Sequence, residues 1–77
     1  MVTVRVFVNL KPSLLDSAGR TVTGALHKLQ FDEVADARIG KTITLQMEKF
    51  DEERVKAMCA KLLANPVIED YSYEVLN

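Results

Sequence analysis

Hydrophobic and polar residues alternate strictly over the first ten positions. Val2, Val4, Val6, Val8 and Leu10 share one face, and Thr3, Arg5, Phe7 and Asn9 share the other. A period of two built on β-branched residues predicts a half-buried strand. Lys11-Pro12-Ser13 ends it, because Pro12 has no N–H to give to a ladder. The period then changes. Val22, Ala25, Leu26 and Leu29 recur at i, i+3, i+4 and i+7, one stripe of a helix. Asp16 is placed to cap its first turn, with Leu15 just before it. Gly19 and Gly24 each weaken that helix by up to about 1 kcal/mol relative to alanine, so packing has to hold it.

From Val34 to Glu48 the apolar residues Ala35, Ala37, Ile39, Ile43, Leu45 and Met47 all carry odd numbers. A two-residue hairpin loop at Gly40-Lys41 would put Ile43 and Leu45 on the opposite face from Ile39. A three-residue loop, a bulge or one long strand bent at Gly40 restores the match. The parity favours the long strand.

Asp51 then marks the start of a second helix, with Glu52 and Glu53 in the first turn, where the helix dipole favours anions. Phe50 and Val55 occupy the positions of a hydrophobic staple. Val55, Met58, Cys59, Leu62 and Leu63 form the expected buried stripe, and Lys56 and Lys61 face out. Asn65-Pro66 stops the helix, since Asn tolerates a left-handed cap and Pro66 cannot continue. Val67 to Val75 reads as a last strand with Val67, Tyr71, Tyr73 and Val75 on one face.

The order strand, helix, strand (or two), helix, strand predicts an α+β two-layer sandwich with both helices on one face of an antiparallel sheet. One hairpin in the middle would make it ferredoxin-like. A continuous middle strand would instead join two βα halves, each too small to close its own core, and the chain would dimerise to fold.

Length and charge narrow the function. The 77 residues are read as a single domain, residues 1–77, with 48% hydrophobic and 27% charged residues. A chain this short buries only about 60% of its unfolded surface, which makes a lone monomer marginal. Ten basic against eleven acidic residues argue against phosphate-driven nucleic-acid binding. One cysteine excludes an internal disulfide. The alternating N-terminus does not read as a signal peptide, and no apolar run reaches the roughly 18 residues of a membrane helix. A cytoplasmic domain with no membrane partner is expected.

The catalytic inventory is thin. His27, the one histidine, has no cysteine at metal-ligand spacing and reads as a surface or interface residue. Cys59 lies on an apolar stripe and reads as an inert buried thiol. Gly40-Lys41-Thr42 resembles the tail of a phosphate loop, but position 35 is alanine where that motif wants glycine. The acidic stretch Glu48 to Glu53 is explained by a capped helix start. An RNA-recognition face would need more aromatics than Phe7. Lys11, Arg38 and Lys41 remain as charges that nothing structural demands; edge protection and contact with a larger partner explain them equally well.

Taken together, several blocks resemble PurS, the family of small subunits of phosphoribosylformylglycinamidine synthase. They are Val8-Asn9-Leu10-Lys11-Pro12, Leu14-Leu15-Asp16 with Gly19, Ala25-Leu26, Phe31, Val34 and Arg38-Ile39-Gly40-Lys41. The longest runs from Leu62 through Ala64-Asn65-Pro66-Val67-Ile68-Glu69-Asp70 to Tyr71, followed by Tyr73-Glu74-Val75. Ser13 and Ser17 depart from the family, which often has Gly and Pro there.

The resemblance implies the fourth step of purine synthesis. Formylglycinamide ribonucleotide, glutamine and ATP become formylglycinamidine ribonucleotide, glutamate, ADP and phosphate. It further implies a synthetase subunit (PurL) that holds ATP and magnesium and a glutaminase subunit (PurQ) that releases ammonia. A small subunit with no catalytic residue and no cofactor of its own would bridge the two as a homodimer or homotetramer. Lys11, Pro12, Arg38, Gly40, Lys41, Asn65 and Pro66 are then the candidate partner contacts. The competing expectation is a ferredoxin-like module that senses a small molecule, for which the first loop lacks the glycines.

Overall fold

A computed structural model describes residues 1–76. Strand β1 (Val2–Leu10) leads to helix α1 (Ser17–Lys28), strand β2 (Lys41–Met47), helix α2 (Glu52–Met58) and strand β3 (Glu69–Leu76). The three strands form one antiparallel sheet in the order β2-β1-β3. This is an α+β arrangement consistent with a ferredoxin-like layout.

The alternation of β1 decides which face is buried. Val4, Val6 and Val8 are at most 1% exposed and join Val55, Cys59 and Ala64 in the core. Each buried valine contributes at most about 1.5–3 kcal/mol relative to leaving it in water. The register sets Leu45 and Ile43 beside Val4 and Val6 on one side, and Val75 and Tyr73 on the other. The outer face is polar. There Thr3 bonds Gln46 at 3.2 Å and Arg5 pairs with Glu74 at 3.5 Å.

Both predicted caps form. The Asp16 carboxylate accepts from Gly19 N at 2.8 Å, and that of Asp51 from Arg54 N at 3.3 Å. Tyr73 Oη donates to Glu52 at 2.9 Å and its ring faces Phe50, which ties β3 to the start of α2.

Four expectations are corrected. Only α2 covers the sheet: Val22, Ala25 and Leu29 on the stripe of α1 are exposed, and no α1 residue joins the core. The chain accordingly spans 46 × 27 × 14 Å, with a radius of gyration of 15.6 Å. A compact chain of this length would have about 11–12 Å.

The middle strand is also shorter than its parity suggested. Residues 34–40 are irregular and β2 begins at Lys41, so Gly40 closes an unpaired segment. The reason is competition for backbone groups, because His27 takes the Val34 carbonyl and Asp16 takes the Ile39 N–H.

The buried stripe of α2 slips after Met58. Residues Cys59–Leu63 form a π-helical turn, closed by Ala64 N donating to the Cys59 carbonyl at 3.0 Å. The extra residue in that turn brings Ala64 into the core and leaves Leu62 82% exposed.

Finally, β3 starts at Glu69 rather than Val67. Asn65 adopts no left-handed cap, Gln30 being the one non-glycine residue with positive φ among those described. Instead its side chain accepts from Val67 N at 3.0 Å, which keeps Val67 out of the ladder.

Candidate functional site

The register gathers all seven candidate contacts at one end of the sheet. Val8 faces Lys41 and Leu10 faces Glu69, so the close of β1 meets the openings of β2 and β3. Lys11 N continues the ladder by donating to the Ile68 carbonyl at 2.9 Å. That places Lys11 and Pro12 between Gly40-Lys41 on one side and the Asn65-Pro66 turn on the other. Nothing in the linear order put the two ends of this cluster together.

Three of the seven have structural duties. The Arg38 guanidinium donates to the carbonyls of Leu14 at 3.0 Å and Lys11 at 3.1 Å, stapling the first loop. Gly40 passes so close to β1 that a Cβ there would lie 1.9 Å from Asn9 Oδ1 and 2.6 Å from the Val8 carbonyl. Asn65 organises its own turn, with Glu69 accepting from its N–H at 2.7 Å. Lys11 pairs with Asp70 at 3.2 Å, an exposed ion pair that adds little stability. Pro12, Lys41 and Pro66 are exposed and free for contact.

Asp16 is the residue that holds this end in place, and sequence reasoning saw only half of its role. Besides capping α1 it accepts from Ile39 N at 2.7 Å, and Arg38 stands nearby. The backbone donors of Ile39 and then Gly19, with help from Arg38, hold its carboxyl below the usual 3.8. His27 lies on α1 and donates from Nε2 to the Val34 carbonyl at 2.6 Å. Burial raises the Cys59 thiol, which keeps it protonated and unreactive.

A second surface lies over the β2 edge. Leu45, Ala57, Met58, Leu62 and Leu63, together with Glu53, Arg54 and Lys61, line an open groove of about 570 Å³ whose exposed surface is mostly apolar. No other segment of the described chain fills it. Among the described residues, no three His, Cys, Asp or Glu side chains are grouped to hold a metal. None of the described helices is long and apolar enough to cross a membrane.

This geometry has close counterparts. Residues 3–77 match the family model described as PurS: Phosphoribosylformylglycinamidine (FGAM) synthase. The chain belongs to the PurS family. It is therefore a subunit of phosphoribosylformylglycinamidine synthase. The PurS subunit of Bacillus subtilis is 54% identical, over 97% of this chain and 93% of that one. A crystal structure of B. subtilis PurS superposes with a TM-score of 0.92 at 52% identity and full coverage of both chains. A chain of the PurLQS structure from Thermotoga maritima is 30% identical with a TM-score of 0.82, covering 99% of each. PurS relatives therefore share the overall fold of this chain.

Proposed function

We propose that this PurS-family chain bridges the synthetase and glutaminase subunits, so that ammonia freed from glutamine reaches the synthetase without escaping to solvent. The observation that carries the reading is the likeness over the full chain to a component of the T. maritima PurLQS assembly. The site geometry supports it. Exposed Pro12, Lys41 and Pro66 stand together at one sheet end, on a framework braced by Asp16 and Arg38. Holding two active sites in register turns a diffusive encounter into a positioned transfer. The reaction joins formylglycinamide ribonucleotide, glutamine and ATP, with ATP and magnesium held on the synthetase and no cofactor on this chain. The complex works in the cytoplasm.

A second copy of the chain belongs to the same reading. The bare stripe of α1 and the apolar groove over β2 are surfaces of the same molecule that its own fold leaves uncovered. In a two-fold dimer the stripe of each copy covers the groove of the other. A homodimer, or a homotetramer built from two, then completes a core that one chain leaves open.

Reconstitution tests the reading. Synthetase and glutaminase from the same source are mixed with ribonucleotide, glutamine, ATP and magnesium, with and without this chain. Glutamine-dependent product that appears only with the chain present supports the bridge. Equal product without it, and no joint complex, overturns the reading. A large thermal shift with one small ligand and no partner would then favour the sensor.

A further inference from the structure

Residues 17–40, from the start of α1 to the threshold of β2, bury almost nothing. Across this stretch Gly19 alone is buried, and Thr23, Leu26, Val34 and Ala37 are half-buried. The helix it carries has 12 residues, two of them glycine. A helix of that length and composition is marginal by itself in water. The rest of the chain is built differently, with Val4, Val6 and Val8 of the central strand closed under Val55, Cys59 and Ala64.

Hydrogen bonds, not apolar packing, hold the stretch, and they fall into two sets. One set is internal. His27 Nε2 bonds the Val34 carbonyl at 2.6 Å, and Phe31 N donates to the Leu26 carbonyl at 3.0 Å. These tie α1 to the irregular segment behind it, so the two move together. The other set fastens the stretch to the chain before it. The Asp16 carboxylate accepts from Ile39 N at 2.7 Å, and Arg38 donates to the Leu14 and Lys11 carbonyls at 3.0 and 3.1 Å. Bonds of this kind are exchanged for bonds to water at small net cost. Releasing them uncovers little apolar surface, whereas opening β1 uncovers the core, so the two events differ widely in free energy.

We infer that residues 17–40 form a strap that, in a single copy, opens and recloses as one unit while the three strands and α2 stay folded. Opening frees Ile39 from Asp16 and Arg38 from the first loop, so the approach to Lys41 is set only while the strap is closed. Resting on the two-copy reading above, the copy that covers the α1 stripe holds the strap shut and couples its order to assembly.

Hydrogen exchange read by mass spectrometry tests this on the full chain in low urea, with sedimentation run on the same samples. Wild type is diluted to a single copy. Where dilution does not suffice, Leu62→Asp supplies one, since Leu62 is 82% exposed on the groove and lies outside the strap. In a single copy the amides of residues 20–29 should exchange about a hundredfold or more faster than those of Val4–Val8. Urea should hardly change the first rate and should steeply raise the second, because one opening exposes little surface and the other exposes most of it. Equal rates with equal urea dependence overturn the strap, as the chain then opens only as a whole. Raising the concentration until the chain associates should slow residues 20–29 by about tenfold or more. Fast exchange that persists in associated chain overturns the coupling to assembly. A chain that stays single at every concentration removes the two-copy reading, and the comparison of residues 20–29 with Val4–Val8 then decides the strap by itself.

Discussion

Asp16 and Ile39, 23 positions apart, are joined by a 2.7 Å hydrogen bond from backbone N–H to carboxylate. The same carboxylate caps α1 through Gly19, so one side chain orders the start of the helix and the segment that leads into β2.

The Asp16 carboxyl titrates below its ordinary 3.8 in the folded chain. A depressed carboxylate adds stability that is present above the unfolded value and lost as pH falls through the folded one. Asp16→Asn should therefore melt below wild type by several degrees near neutral pH. The gap should narrow as the pH falls through and below 3.8. Thermal melts of both proteins across that range check it; a constant gap would contradict the assignment.

Gly19 and Gly24 lie on the same helix and should respond oppositely to alanine. A Cβ on residue 19 would stand 2.1 Å from the Ala37 carbonyl oxygen, whereas one on residue 24 meets nothing within 4 Å. Gly24→Ala should raise stability by up to about 1 kcal/mol. Gly19→Ala should lower it despite the same gain in propensity, because the backbone of residue 37 has to move. Paired denaturant titrations decide the point.

Arg38 and Lys41 were equivalent in the sequence and are not equivalent in the fold. Arg38→Ala should destabilise the chain by about 1 kcal/mol through loss of its bonds to Leu14 and Lys11. Lys41→Ala should leave the melting temperature within error and weaken the joint complex. Melts alongside co-elution with synthetase and glutaminase separate the two effects. Complex formation and activity unaffected by both changes would remove their contact role.

In the proposed dimer, the stripe of α1 makes stability depend on concentration. Leu26→Asp or Val22→Asp should convert the chain to monomer, lower its melting temperature and abolish any rise of that temperature with protein concentration. Sedimentation and melts over a hundredfold range of concentration would show it. A wild type that stays monomeric throughout would contradict the dimer.

Local chemistry was legible where it acts over a few residues. The alternation of β1, the caps at Asp16 and Asp51, and the stops at Pro12 and Pro66 all follow from dihedral limits and nearest hydrogen bonds. So did the core valines, because a period of two leaves only one face to bury. Family membership was legible too, since it rests on the linear order of residues.

Long-range competition was not legible. The odd-numbered apolar series from Ala35 to Met47 satisfies a strand, yet Asp16 and His27 claim the backbone of its first half. The π-helical turn moved Leu62 out and Ala64 in, a one-residue slip that no helical periodicity announces. Sequence alone determined what each segment is able to form. Only the tertiary structure decided which hydrogen-bond partner won and which apolar face stayed bare, because both depend on residues brought together by folding rather than by chain order.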